Sequence, residues 1–243
     1  MENWFFLAAF VSEIVGTIAG FGSSTIFLPL ALIFFDFKVA LVLVAFLHIF
    51  GNIGRISFFK SGLDKHMLLT FGVPSIALTL IGALLVAYIS QDLLKGVLGI
   101  FLIFYALLSF WKEDLKIKQS IFSTIVGGGL SGFLAGLIGT GGALRGAFLT
   151  AFNLPKEKYI ATAAAIALAV DLTRLPVYFA EGFLSSQYYW YIPVLLIIAL
   201  IGSFTGKQIV KRVPQKTFKK IVLAAILIVG LKFISDWFSK LLL

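Results

Sequence analysis

Continuous apolar runs recur along the whole chain, and they restrict the fold more than any other feature of the sequence. Eight apolar segments end at charged or turn residues, at about 4–35, 39–59, 67–89, 94–111, 120–152, 159–180, 188–206 and 218–238. An apolar run of about 18 residues or more predicts a transmembrane helix. A β-barrel would instead show short segments of alternating polarity. The sequence therefore predicts an all-α polytopic membrane protein.

The composition agrees with a chain that lies almost wholly in a bilayer. Of its 243 residues, 60% are hydrophobic and 13% are charged, which is about half the charged share of a soluble domain. The net charge of +9 therefore indicates loops that face anionic membrane lipids, not a nucleic-acid partner. The absence of cysteine excludes disulfides, thiolate catalysis and cysteine-ligated metals. We expect no cofactor and no metal site.

Two of the eight segments are too long for one crossing, and both contain glycine-rich breaks. Segments 4–35 and 120–152 would each be about 48 Å long as straight helices, whereas the hydrocarbon core is about 30 Å thick. The first reads GTIAGFGSST from Gly16, and the second reads GLIGTGGALR from Gly136. Both segments fit either tilted helices with ends outside the membrane or bent re-entrant hairpins.

The two halves of the chain resemble each other at a steady offset. Gly16-Thr-Ile-Ala-Gly20 matches Gly132-Phe-Leu-Ala-Gly136, and Asn52-Ile-Gly-Arg55 matches Asp171-Leu-Thr-Arg174, at offsets between 116 and 120. We therefore expect one integral membrane domain that consists of two repeats. The N-terminal repeat would cover 1–111, a cytoplasmic linker 112–119, and the C-terminal repeat 120–243.

The distribution of lysine and arginine favours one of the two topologies. If all eight segments cross the membrane, five loop cations oppose eight, which gives no bias. If the broken segments are hairpins, thirteen cations share one side: Lys60, Lys65, Lys112, Lys116, Lys118, Lys156, Lys158, Lys207, Lys211, Arg212, Lys216, Lys219 and Lys220. The positive-inside rule favours the hairpins. That topology gives two inverted repeats of about four segments each and places both termini outside.

Residues at the two breaks are the candidates for substrate binding. A half-helix that starts near Thr140 would present free N–H groups and the positive end of its dipole to an anion, with Arg145 in its first turn. The alternative is that Arg145 caps carbonyls of a neighbouring helix. Because Leu28 takes the matching place in the first half, the site would be asymmetric. The candidates are Gly20, Gly22, Ser23, Ser24, Thr25, Gly139, Thr140, Gly141, Gly142 and Arg145.

Two polar pairs inside the apolar segments are candidates for the transport pathway, because buried polar groups in membranes are usually functional. Asn52 and Arg55 share a helix face, as do Asp171 and Arg174. The hairpin topology places Arg55 near the inner mouth and Arg174 near the outer mouth. The alternatives are that Arg55 reaches the inner headgroups and that Arg174 simply pairs with Asp171.

Glu13 and His48 are candidates for proton coupling. His48 titrates near physiological pH, and Glu13 is expected close to the outer interface. The alternative for each is a packed, hydrogen-bonded structural role. Catalysis has little support, because the chain contains no H-E-x-x-H, no G-x-S-x-G and no phosphate-binding loop followed by lysine.

Taken together, these motifs resemble the sulfite exporter TauE/SafE family, also called the 4-toluene sulfonate uptake permease family. Members often have a third glycine where Ser23 and Ser24 stand, and commonly asparagine at the position of Asp171. The resemblance covers nearly the whole chain and rests on the order of its motifs: Gly20-Phe-Gly-Ser-Ser with Pro29, Asn52-Ile-Gly-Arg55, Lys60-Ser-Gly-Leu-Asp64, Gly136-Leu-Ile-Gly-Thr-Gly-Gly142, Ala161-Thr-Ala, Asp171-Leu-Thr-Arg174, Tyr178 and Gly182.

The resemblance implies a secondary transporter that moves a small sulfur-containing or organic anion across a bacterial or archaeal cytoplasmic membrane. Sulfite and sulfonates are the implied substrates. An anion channel, a membrane assembly factor and an intramembrane enzyme remain alternatives on the sequence. The expected partners are the substrate anion and membrane lipids; the oligomeric state is open, and a homo-oligomer is compatible with the sequence.

Overall fold

The computed structural model describes residues 2–20, 22–59, 62–111, 120–151, 154, 156–209 and 215–241. Helices dominate these residues, and no strand occurs among them. The predicted linker, 112–119, lies outside the described residues. So do six of the thirteen loop cations, namely Lys60, Lys112, Lys116, Lys118, Lys211 and Arg212.

The helices follow the apolar segments in order, which confirms the all-α polytopic prediction. Among the described residues, seven helical stretches are long and apolar enough to cross a membrane. A π-helical turn, Leu68–Gly72, joins α4 to α5, so that Lys65–Tyr88 forms one such stretch. The helices are α1 (Glu2–Ala19), α2 (Ser24–Ala31), α3 (Phe37–Phe58), α4 (Lys65–Met67), α5 (Val73–Leu85), α6 (Gln91–Trp111), α7 (Ile121–Ile138), α8 (Gly142–Ala151), α9 (Lys156–Ala180), α10 (Tyr191–Ile209) and α11 (Gln215–Leu241).

Both overlong segments are interrupted at their glycines. The first break separates α1 from α2, and the second separates α7 from α8. Gly20, Gly22 and Gly139 lie in these breaks with φ of 81°, 94° and 75°. Glycine adopts positive φ at little steric cost, whereas residues with a Cβ rarely do. The glycines therefore explain why each helix ends where it does.

Each broken segment turns back on itself after the break. In the first, the ring of Phe5 in α1 lies 5.2 Å from that of Phe27 in α2 and 4.9 Å from that of Phe35 beyond it. In the second, a Cβ at Gly127 of α7 would lie 2.5 Å from the ring of Phe148 in α8. The two ends of each segment thus lie at the same level, which is the geometry of a hairpin. The inverted relation between the two halves stays a prediction.

Helices α5 and α7 pack closely because one face of α7 carries only glycine. Gly128, Gly132 and Gly136 recur every fourth residue and therefore share that face. The Ser75 hydroxyl donates to the carbonyl of Gly128 at 2.8 Å, and the Thr79 hydroxyl donates to that of Gly132 at 2.9 Å. This tight pair supports the second break, which follows directly after α7.

The substitution Gly132→Ala should destabilise the protein, because a Cβ there would lie 2.0 Å from the Ser75 carbonyl oxygen. Overpacking of this kind costs about 1–3 kcal/mol. Gly72→Ala is the matched control, since Gly72 has helical φ and ψ of −68° and −47° and its added Cβ would lie 3.5 Å from Ile166. Thermal unfolding in detergent should show a lower Tm for the first variant alone. Equal losses in both would contradict this account of the packing.

Candidate functional site

The two breaks, far apart in sequence, meet inside the protein. The hydroxyl oxygens of Thr25, in the first turn of α2, and Thr140, just before α8, lie 2.8 Å apart. Both residues are buried. The first N–H groups of a helix have no partner within that helix. The N-terminal ends of the two half-helices therefore converge on one enclosed region.

Ser23 occupies the N-cap position of α2 but makes no capping hydrogen bond from its side chain. Its Oγ is fully buried and has no hydrogen-bond partner among the described residues. A buried polar group left unsatisfied costs about 1–3 kcal/mol. A ligand that accepted a hydrogen bond from Ser23 would remove this cost.

Arg145 lies in the first turn of α8 and is almost fully buried. Its backbone N–H donates to the carbonyl of Gly141 at 2.9 Å, and its side chain is within electrostatic range of Asp171, Arg55 and Arg174. A guanidinium at a helix N-terminus adds to the positive end of the helix dipole. The second break is therefore more positive than the first.

A buried ion pair joins α1 to α3 on one side of the breaks. The Nη1 atom of Arg55 lies 2.5 Å from Glu13 Oε1, and its Nη2 donates to Asn52 Oδ1 at 2.8 Å. The Ser203 hydroxyl of α10 donates to the same Glu13 oxygen at 2.8 Å. One carboxylate thus holds together three helices.

The position of this ion pair bears on two sequence interpretations. Glu13 is fully buried and packs at the level of Gly51 in α3 and Gly202 in α10. Its depth relative to the outer interface stays a prediction. Arg55 is also buried, and this pairing excludes the alternative that it reaches the inner headgroups.

A second buried cluster joins α9 to α3 and α7. Nε and Nη2 of Arg174 lie 2.9 Å and 2.8 Å from Asp171 Oδ1, and its Nη1 donates to the carbonyl of Ala135 at 2.8 Å. Pairing of Arg174 with Asp171 was one of the two alternatives left open by the sequence. The other carboxylate oxygen, Oδ2, lies 2.8 Å from His48 Nδ1 and 3.4 Å from Asn52 Nδ2. Asp171 therefore links the second half of the chain to the first.

The buried charges of the described residues do not cancel. The buried ionisable side chains are Glu13, His48, Arg55, Arg145, Asp171 and Arg174, so that with a neutral histidine three guanidinium groups face two carboxylates. A surplus charge is expensive to bury in a membrane protein. An anion in this region would offset it. No group of three potential metal ligands occurs in the described part of the chain.

Residues outside the predicted site also contact it, among them Ser203, Thr17 and Tyr159. Ser203 binds Glu13, the Thr17 hydroxyl lies 3.1 Å from Arg55 Nη1, and the Tyr159 ring would contact a Cβ at Gly20 at 2.8 Å. The sequence analysis did not select them. Spacing could have indicated Thr17, which lies four residues after Glu13 and so on the same helix face. Nothing in the sequence pattern points to Tyr159.

Comparisons with known proteins agree with this architecture. The sequence profile of the sulfite exporter TauE/SafE family matches residues 5–233. A probable membrane transporter protein of Methanocaldococcus jannaschii is 27% identical over 244 residues, which cover 91% of this chain and 90% of the relative. The range matched by the family profile spans the positions of both breaks and both buried ion pairs.

The substitution Glu13→Gln should destabilise the protein strongly, because it leaves the Arg55 guanidinium buried without its carboxylate. Breaking a buried ion pair in this way costs about 3–5 kcal/mol. Asp236→Asn is the control: it breaks the Lys232–Asp236 pair, whose side chains are 66% and 57% exposed. An exposed pair contributes about 0–1 kcal/mol. Thermal unfolding in detergent measures both, and a Glu13 effect no larger than the control would contradict the geometry.

Proposed function

The chain belongs to the sulfite exporter TauE/SafE family of membrane transporters, and on that premise we propose that it is a secondary transporter of a small sulfur-containing or organic anion. Sulfite and sulfonates are the substrates that fit best. The anionic group binds between the two breaks. The observation that carries this proposal is the Thr25–Thr140 hydrogen bond, which joins two half-helix N-termini inside a region with surplus positive charge.

The chemistry of a sulfite or sulfonate group matches this region. Such a group presents three acceptor oxygens and a negative charge, so it needs several donors that approach from different directions. The first break offers the Ser23 hydroxyl and the free N–H groups at the start of α2. The second offers the N–H groups at the start of α8, with Arg145 in its first turn. Charge-assisted hydrogen bonds of this kind are stronger than hydrogen bonds between neutral groups.

Alternating access explains the two ion pairs that flank the breaks. Arg55 is near the end of α3, on the side from which the loop before α4 leaves, whereas Arg174 contacts Ala135 near the end of α7. In the proposed mechanism these pairs line the inner and outer mouths of the pathway. Rocking of one half against the other opens one mouth while the site itself stays fixed.

The variant Arg145→Ala should abolish saturable sulfite flux in proteoliposomes, or raise the half-saturating concentration by at least about tenfold. The loss of a charged hydrogen-bond donor accounts for about 1.5–3 kcal/mol. Arg145→Lys keeps the charge but not the planar guanidinium group, so its flux should lie between those of the wild type and Arg145→Ala. Lys232→Ala, at an exposed cation, should leave flux unchanged.

Unaltered flux in Arg145→Ala would sink the proposed site. Counterflow and saturation identify a carrier, whereas flux that rises linearly with concentration identifies a channel.

A thermal-shift screen of the purified protein with sulfite, thiosulfate, sulfonates and carboxylates measures binding without transport. No stabilisation by any of these anions would favour an assembly factor or an enzyme.

Single introduced cysteines test the orientation that we propose, with both termini outside and the basic loops in the cytoplasm of a bacterial or archaeal cell. The chain has no cysteine, so each introduced thiol is the only reactive one. Gln187, in the exposed turn before α10, should be labelled by an impermeant maleimide in intact cells. His66, exposed near the start of α4, should be labelled only after lysis. The reverse pattern would overturn the orientation.

A further inference from the structure

His48 lies between Asp171 and the first break. It is buried, and its Nδ1 atom lies 2.8 Å from Asp171 Oδ2. Its other nitrogen, Nε2, faces the backbone of Gly22, where an added Cβ would lie only 2.1 Å away. Neither ring nitrogen makes a hydrogen bond of regular geometry within the described part of the chain, so the close approach of Nδ1 to Asp171 is a charge contact, and Nε2 has no such contact. One edge of the imidazole ring therefore faces a carboxylate, and another edge faces the proposed anion site.

Asp171 decides which nitrogen of a neutral His48 carries the hydrogen. Two N–H groups of Arg174 point at Asp171 Oδ1, which keeps the carboxylate ionised. Nδ1 lies 2.8 Å from the other carboxylate oxygen, Oδ2. If Nδ1 carried no hydrogen, the lone pairs of these two atoms would repel each other. Nδ1 must therefore carry the hydrogen, and a neutral imidazole has only one. Nε2 then presents a lone pair to the first break.

That lone pair conflicts with an anion at the first break. The oxygens of a sulfonate or sulfite group are acceptors, and two acceptors repel unless a proton lies between them. A proton on Nε2 gives the ring a second donor and a positive charge. We propose that His48 takes up one proton at Nε2 when the anion binds, so that anion and proton cross together. This inference rests on the proposed function and specifies its coupling ion.

Charged groups on three helices act on the protonation state of His48. Asp171 of α9 stabilises a protonated ring, whereas Arg55 on the same helix and Arg145 of α8 oppose it. Arg174 of α9 also opposes it across the shared carboxylate. Without a ligand, protonation would add a second surplus positive charge to the buried cluster. With a bound monoanion, the protonated cluster has the same net charge as the empty one.

The other helices packed against α3 also carry titratable groups: α6 has Asp92, Lys95 and Tyr105, and Glu13 of α1 has one carboxylate oxygen, Oε2, without a hydrogen-bond partner among the described residues. Glu13 of α1 is held by Arg55, and α2 contains no titratable residue. Lys207 of α10 donates to the carbonyl of Phe58 at the end of α3. Among the described residues, His48 Nε2 is the proton acceptor that faces the backbone of Gly22 in the first break.

The test counts the protons taken up for each anion bound by the full-length purified protein. Methanesulfonate is the probe, because a sulfonate stays ionised and brings no proton of its own. Titration calorimetry in two buffers of different ionisation enthalpy gives the number. Above neutral pH we expect about one proton per anion, and a Kd that rises about tenfold for each further pH unit. Binding without proton uptake overturns the inference and leaves the proposed function standing.

The two histidines of the chain provide matched variants. His66 is exposed, whereas His48 is buried, so His66→Asn should keep the uptake of one proton. His48→Asn should bind methanesulfonate more weakly, with no proton uptake and a Kd that no longer depends on pH. Proton uptake retained by His48→Asn would overturn the assignment. If the wild type does not bind the probe at all, the proposed sulfonate site fails and the inference fails with it.

Asp171→Asn tests the tautomer itself. Without the carboxylate, the amide can donate to Nδ1, and neutral His48 can carry its hydrogen on Nε2. The anion then finds a donor already in place, so binding should occur without proton uptake. Thermal unfolding verifies that each variant is folded. Where a variant is unstable, the proton number of the wild type still decides the question.

Discussion

A helix can be interrupted inside a bilayer only where something other than lipid satisfies its free backbone groups. The rest of the structure depends on this constraint. Gly20, Gly22 and Gly139 lie where α1 and α7 are interrupted, and the free backbone groups there could not face hydrocarbon. The fold encloses both by packing them together, so that Thr25 contacts Thr140. The region that results has hydrogen-bond donors on two sides, as the proposed anion site requires.

The polar groups around this region form two connected units. Glu13 unites α1, α3 and α10 through Arg55 and Ser203, while Asp171 unites α9 with α3 through His48 and Asn52. Because Asn52 belongs to both, the two units share a residue on α3. Each carboxylate is thus positioned by contacts from more than one helix, and a movement of the helices must change the electrostatics of the site.

Much of the helical layout could be predicted from the sequence, because burial in lipid demands long apolar runs and glycine marks the breaks. The partners of the buried charged residues could not be predicted from the sequence. Glu13 and Arg55 are 42 residues apart, and Glu13 and Ser203 are 190 apart. Periodicity shows which residues share a helix face, but the rotation of each helix against its neighbours decides what that face meets. Tyr159 begins an apolar stretch, and nothing in the sequence pattern singles it out.

The contact between Thr25 and Thr140 is one in which either hydroxyl can donate. This hydrogen bond joins the first half of the chain to the second. An anion placed between the breaks attracts both hydrogens, since its oxygens are stronger acceptors than a hydroxyl. The hydrogen bond between the halves and the proposed contact with the ligand therefore use the same atoms. In the proposed mechanism, binding of the anion would break the contact between the halves and so couple binding to the movement.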